Sequence, residues 1–426
     1  MLVYKFGGAS IADAGRMAAL LPIIEDAKEP LVVVMSALGK TTNALEAIVN
    51  AACSGRKEEA QILIGKLEQQ HLAQAKGLLN PTYYAAAVEY LLPYFTALEQ
   101  AAQSADPAFY DRSYDQIVCL GEIFSTSIFQ CWLRQSNLPS KWIDIRRVIQ
   151  TDDTYRDAVV DWNSSQSKAQ EIIGASLKNG KVVVTQGFIG ATDDGYSVTL
   201  GREGSDYTAA ILAAMLQANS VTIWKDVEGL QNADPKLFSD TVKINAISYN
   251  EVIEMAFYGA QIIHPKTIKP LQNNNIPLYV KCFLDPKLDG TVIEQEVSAA
   301  YPPLIALKEN QVLIQATTRD FSFITEDNLS KLYSIFHGLK IKINLIQNAA
   351  ISFVACIDNR EDKLSALIPA LSEDYKVTNN ENVVLLTIRH YTPEIIATLT
   401  KGRQTLLRQE TRKTIQVVMD SSPVAS

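Results

Sequence analysis

Two short runs, Leu31 to Met35 (LVVVM) and Lys181 to Gln186 (KVVVTQ), constrain the fold more than anything else in the chain. The first is continuously apolar, both are rich in β-branched residues and too short for a helix, and this is the pattern of a strand buried on both faces of a parallel sheet. Parallel strands need crossover connections, and helices supply them. The sequence has the helices. Apolar positions recur at helical spacing from Asp13 to Ala27, the stretch from Asn43 to Ser104 is rich in Ala, Leu, Glu and Gln, and a helix near Tyr114 contains CLGEIFSTSIFQCWL, in which Glu122 is the only acid. Leu2 to Phe6 and Ser220 to Trp224 add two more strands, the first running into Gly7-Gly8 and the second into Lys225-Asp226. A polar hairpin-like stretch, Ala191 to Ser197, precedes an Ala-rich helix from about Tyr207 to Gln217. Alternating strands and helices predict an α/β fold, a three-layer sheet sandwich with ligands at the strands' C-terminal ends.

The pattern changes after Val280-Lys281-Cys282, and Pro302-Pro303 marks a linker. Beyond it the chain reads βαββαβ up to Thr378, followed by a shorter set of strand, helix, strand and strand from Val383 to Met419. The two sets read as unequal copies of an α+β ferredoxin-like unit. The expected division is residues 1–298, 304–380 and 381–420. The last part is too short to complete two βαβ halves, so a strand borrowed from Leu304 to Leu307 is expected to fill it.

Composition removes several classes of function. The 426 residues carry a net charge of -8, which disfavours nucleic acid and anionic membrane as partners. The five cysteines form no CxxC pair, and no metal-ligand set stands out. The N-terminus lacks an apolar segment with a small-residue cleavage site, and no stretch approaches 18 uncharged apolar residues, so a cytoplasmic protein is expected.

Chemistry concentrates at the strand ends. Phosphoryl transfer needs backbone donors and a fixed cation, and Lys5-Phe6-Gly7-Gly8 can supply both; a surface lysine before a turn fits the same residues. In the run TLGREGSD, Arg202 can hold a carboxylate with two donors, Ser205 can donate to an anion, and Asp206 can cap the following helix or pair with a lysine. Neither GxxxxGK[ST] nor GxGxxG occurs, so no P-loop or nicotinamide-binding unit is expected.

Taken in order, KFGGAS, MSALGKTTN, GEIFST, GFIGA, TLGREGSDYTAA, WKDVEGLQNADP and MAFYGAQIIHPKTI resemble the signature set of the aspartokinases, across residues 5 to 268. The resemblance implies an amino-acid-kinase-type catalytic domain followed by two ACT regulatory modules. It implies transfer of the γ-phosphoryl of magnesium-ATP to the β-carboxylate of L-aspartate, the entry to lysine, threonine and methionine biosynthesis. By resemblance, Lys5, Gly7 and Gly8 would cradle the phosphate and Asp206 would orient Lys5. Ser36 and Thr42 would contact substrate or phosphate, Glu122 would receive the aspartate ammonium, and Arg202 with Ser205 would hold its carboxylates. Lys225, Asp226, Gln231 and Lys236 fall in the family's ATP-binding loop, where Asp234-Pro235 also fits an ordinary turn.

Four positions depart from the family pattern: Ala9 replaces a usual Thr, Glu203 a Gly, Gln231 an aromatic residue, and Gln261 a lysine directed at the ATP phosphates. Glutamine cannot offset phosphate charge, so weaker nucleotide binding or slower turnover is expected unless Lys225 or Lys266 compensates, and a charge at Glu203 must point outward. The alternatives are a kinase for another small amino acid or a catalytically impaired amino-acid-binding regulator. An effector such as lysine or threonine would sit at Asp320 to Asp327, and paired ACT modules imply a homodimer.

Overall fold

The structure is a computed structural model that describes residues 1–180, 182–260, 262–297 and 300–421. The chain divides into two compact units: Met1–Leu230 with Lys243–Ile253 and Ile263–Ala299, and Gln231–Val242 with Glu254–Ile262 and Ala300–Ser426.

The first unit is built on an eight-stranded sheet. Its strands are β1 (Leu2–Phe6), β2 (Leu31–Met35), β3 (Ser140–Ile143) and β4 (Val182–Gln186), then, beyond a small antiparallel hairpin of β5 (Ile189–Ala191) and β6 (Ser197–Thr199), β7 (Ser220–Lys225), β8 (Ala246–Ser248), β9 (Leu278–Cys282) and β10 (Thr291–Glu294). The order is β3-β4-β2-β1-β7-β9-β10-β8, parallel except where β10 meets β9. Every residue of β2 is buried, as its uninterrupted apolar run demands. From β1 the chain proceeds to β2 on one side, and after β4 it crosses to β7 on the other, which opens a crevice at the strands' C-terminal ends. The helical stretch 41–103 is three helices, Thr41–Cys53, Lys57–Leu78 and Pro81–Gln103. The expected helix over 13–27 is two short ones, Ala14–Ala19 and Leu21–Glu25, with Pro22 in the first turn of the second. Residues 107–135 are apolar enough by composition to cross a membrane, but 89% of their most apolar window is buried inside the protein, as in a core helix.

The second unit holds a six-stranded antiparallel sheet made of β11 (Leu304–Thr318), β12 (Ile343–Asn348), β13 (Ser352–Asp358), β14 (Tyr375–Arg389), β15 (Thr405–Glu410) and β16 (Thr414–Asp420), in the order β12-β13-β11-β14-β16-β15. β11 and β14 are each 15 residues long and serve both modules. The Gln311–Thr318 half of β11 pairs with β13 and with the start of β14, completing a βαββαβ unit over Phe336, Phe353 and Tyr375. The Leu304–Lys308 half pairs with Leu385–Arg389 and closes the shorter module, so that module does complete its sheet with the strand that precedes the first. Its core joins Ile305 to Leu386, Ile388, Ile415 and Val417.

Candidate active site

β1 and β2 end at one level, with Phe6 opposite Met35 and the Ser36 N–H donating to the Phe6 carbonyl at 3.1 Å. The two loops that leave them touch at Gly8. A Cβ there would lie 2.9 Å from the Gly39 carbonyl oxygen and 3.0 Å from that of Ala37, so only glycine lets the loops close. Lys5, one residue before the end of β1, places its Nζ 2.6 Å from Asp206 Oδ1. The two side chains are only 11% and 6% exposed. Removing both from water is costly, and a pair so enclosed is better explained by what it holds in place than by stability.

Asp206 belongs to the Gly204–Leu216 helix, which begins three residues before the expected Tyr207. The cap reading of Asp206 is thereby corrected: it sits inside the first turn and pairs with Lys5. The turn before the helix runs through Gly201 at φ +78° and Glu203 at φ +54°. Glu203 Oε2 accepts the His264 N–H at 2.8 Å, which orients the carboxylate without cancelling its charge, and Glu203 remains among the residues lining the cleft. Lys266, considered as a substitute phosphate ligand, is ion-paired with Asp157.

Glu122 lies in the first turn of the Leu120–Gln135 helix and is 3% exposed. Its Oε1 accepts the Ala37 N–H at 3.1 Å, while Oε2 is buried without a hydrogen-bond partner. Burial pushes its carboxyl up to about 8, against the opposing pull of the Ala37 N–H and the Lys5 charge. A dry carboxyl with one unfilled acceptor site is built to receive a donor. Ser125, one turn on, donates to the Ser36 carbonyl at 2.7 Å and ties this helix to the end of β2.

These groups line one cleft of about 420 Å³: Lys5, Gly8, Ser36, Thr42, Glu122, Arg202, Ser205 and Asp206 all face it. Gly7 adjoins the lysine, since a Cβ on it would stand 3.4 Å from Lys5 Nζ. The residues expected in the nucleotide loop fare differently. Lys225 and Asp226 stand at and just beyond the end of β7 and are not among the residues lining this cleft. Gln231 and Lys236 fall in the second unit, where Asp234 accepts the Lys236 N–H at 2.9 Å in an ordinary turn. Gln261 lies outside the described residues.

The cleft also contains Tyr114, Arg156, Phe188 and Thr199, which the motifs did not single out for a role. Behind them Asp115, fully buried, accepts the Arg156 N–H and the Thr199 N–H at 2.9 Å each and the Thr199 hydroxyl at 2.7 Å. Burial raises its carboxyl to about 6 despite these three donors. The one sequence signal for Asp115 was an acid on the flank of an apolar helical run.

The profile of the amino acid kinase family matches residues 1–282. The lysine-sensitive aspartokinase 3 of Escherichia coli is 33% identical over 363 residues, covering 84% of this chain and 78% of its own. The crystal structure of E. coli aspartokinase III with lysine and aspartate superposes with a TM-score of 0.82 at 28% identity, covering 100% of this chain and 97% of that one. Its complex with aspartate and ADP gives a TM-score of 0.80 at 28% identity, covering 99% and 96%.

The raised carboxyl of Glu122 makes stability depend on pH in a defined direction. Its folded value near 8 exceeds the ordinary 4.5, so the folded state holds the proton more tightly; the stabilisation is complete below about pH 4.5 and is lost as pH rises toward 8. Glu122→Gln should therefore match the unmodified protein's thermal stability near pH 5 and exceed it near pH 8. Melting curves of the two proteins that run parallel across that range would contradict the assignment.

Proposed function

The chain belongs to the amino acid kinase family and, within it, to the aspartokinases, and from that premise we propose that Lys5, Gly7 and Gly8 receive the transferring phosphoryl group of ATP while Glu122, Arg202 and Ser205 hold aspartate. The reaction moves the γ-phosphoryl of ATP to the β-carboxylate of L-aspartate and yields 4-phospho-L-aspartate. The observation that carries the division of roles is the unfilled Oε2 of Glu122 in the same cleft as the Lys5–Asp206 pair.

The chemistry follows from charge. A carboxylate oxygen must approach a polyanionic phosphate, and the barrier falls when fixed cations and main-chain amides meet the developing charge without having to reorganise. Lys5 is held for that purpose by Asp206, and Gly8 lets the loop backbone come close. At the other end, an amino acid's ammonium would meet the dry Oε2 of Glu122, and its arrival would drive off the proton that burial keeps there. Arg202 offers a planar fork that matches a carboxylate. Ser36 and Thr42, at the end of β2 and the start of the next helix, would contact substrate or phosphate. Lys225 and Asp226 would meet the nucleotide beyond the end of β7. Magnesium would arrive on the phosphate oxygens and neutralise their charge.

In the same proposal, residues 1–298 form the catalytic domain, and 304–380 and 381–420 form ACT modules that pair in a homodimer and bind lysine or threonine at 320–327. There Thr325 forms a capping box with Asn328, and Phe321 and Phe323 stand 78% and 74% exposed, surface available to an effector or a second copy. The step would open lysine, threonine and methionine biosynthesis.

With ATP, magnesium and hydroxylamine present, the protein should give hydroxamate with L-aspartate and not with L-glutamate or N-acetyl-aspartate; product from another acid, or from none, would contradict the reading. Lysine or threonine titrated into the same assay should depress the rate, and indifference to both would retire the effector proposal.

A further inference from the structure

The loop between Thr151 and Val160 contains a residue whose geometry the signature motifs do not explain. Arg156 adopts a left-handed backbone at φ +70°. That region is sterically disfavoured for any residue with a side chain, and such outliers persist where the surroundings over-determine them, often at functional sites. The surroundings here are specific. The Arg156 N–H donates to Asp115 Oδ2 at 2.9 Å, and the same buried carboxylate anchors Thr199 of β6. The Arg156 carbonyl lies where a Cβ on Gly201 would approach it to 3.2 Å, so the loop presses on the turn that presents Arg202. A glycine would take this backbone without strain; an arginine is kept there instead, with its side chain on the wall of the cleft.

The side chain is also pre-set. Its guanidinium lies over the Tyr114 ring, 4.4 Å from the centroid, and Nη1 donates to Asp111 at 3.1 Å. The Tyr114 hydroxyl is itself fixed by donation to Glu46 at 2.7 Å. One contact to Asp111 leaves most of the five guanidinium donors for a ligand. The charge balance of the cleft calls for them. Lys5 is matched by Asp206 and committed to the phosphoryl group, Glu122 would answer an ammonium, and Glu203 adds a further carboxylate to the lining, so Arg202 alone would face the two carboxylates of the substrate. Arg156 is the further cation lining this cleft among the described residues.

We propose that Arg156 is a substrate-binding residue that pairs with a carboxylate of bound aspartate beside Arg202 and so sets the cleft's preference for a dicarboxylic amino acid, an inference that rests on the aspartate-kinase reading of the site. Loss of one such charge-assisted pair corresponds to roughly a tenfold or larger loss of affinity.

The test is Arg156→Gly with Arg156→Lys beside it. Glycine suits the left-handed backbone, so the glycine variant should fold with an undiminished melting temperature, which separates a binding defect from a structural one. It should raise KM for aspartate by about tenfold or more, leave KM for ATP unchanged and alter kcat by less than about threefold, and the lysine variant should recover part of the loss. Calorimetric titration with aspartate should show the same weakening. Aspartate KM and affinity within about twofold of the unmodified protein would overturn the proposal while leaving the kinase reading intact, as would a defect confined to ATP. Absence of both aspartate binding and turnover in the unmodified protein would overturn the two together.

Discussion

An ammonium held 2.6 Å from a carboxylate, at the dry end of a parallel sheet, is the contact on which the cleft is organised. Lys5 can reach it only because β1 is central and ends level with β2, and Asp206 only because the Gly204–Leu216 helix starts where the 201–203 turn delivers it. Each partner alone would be a largely buried, uncompensated charge, a penalty on the order of several kcal/mol per ion. Together they give a lysine held in place beside Gly7 and Gly8, where the proposed reading puts the phosphate.

The remaining charges are placed with comparable care. Glu203, which in the sequence threatens the phosphate site, turns to the His264 N–H, and Lys266 is drawn to Asp157. Glu122 faces the opposite way in energetic terms. Burial raises its carboxyl and so favours the protonated form, and in the proposed reading an arriving ammonium would displace that proton and form an ion pair. Asp115 underlies the far wall, joining the 110–118 helix, the Arg156 loop and β6 through one buried carboxylate.

Much of this was legible in the sequence. LVVVM marked β2 to the residue because an uninterrupted run of apolar, β-branched residues suits a strand buried on both faces, whereas Glu122, an acid inside an apolar helix, takes a role only through the family resemblance. The long strands of the second unit were not legible as single strands. Asn379–Asn382 reads as a turn, yet Asn379 and Asn380 pair with Ile314 and Leu313 while their side chains stay in solvent, and Asn382 takes the irregularity at φ +55°. Periodicity reports burial, and exposed residues on a continuing strand carry none. Asp115 and Arg156 were missed for a related reason: their importance comes from segments 41 residues apart in the chain, a distance no local pattern spans. The nucleotide loop shows the converse, since adjacent residues in the sequence, Leu230 and Gln231, end in different compact units.

The central claim is that Lys5 and Asp206 act as one device, and a double-mutant cycle on kcat tests it most directly. Lys5→Met and Asp206→Asn should each slow turnover by about a hundredfold or more, on the scale of losing one electrostatic stabiliser, and the double variant should be little slower than the worse of the two. Losses that multiply in full would mean that the two residues contribute independently, and the cleft would then not be organised around their contact.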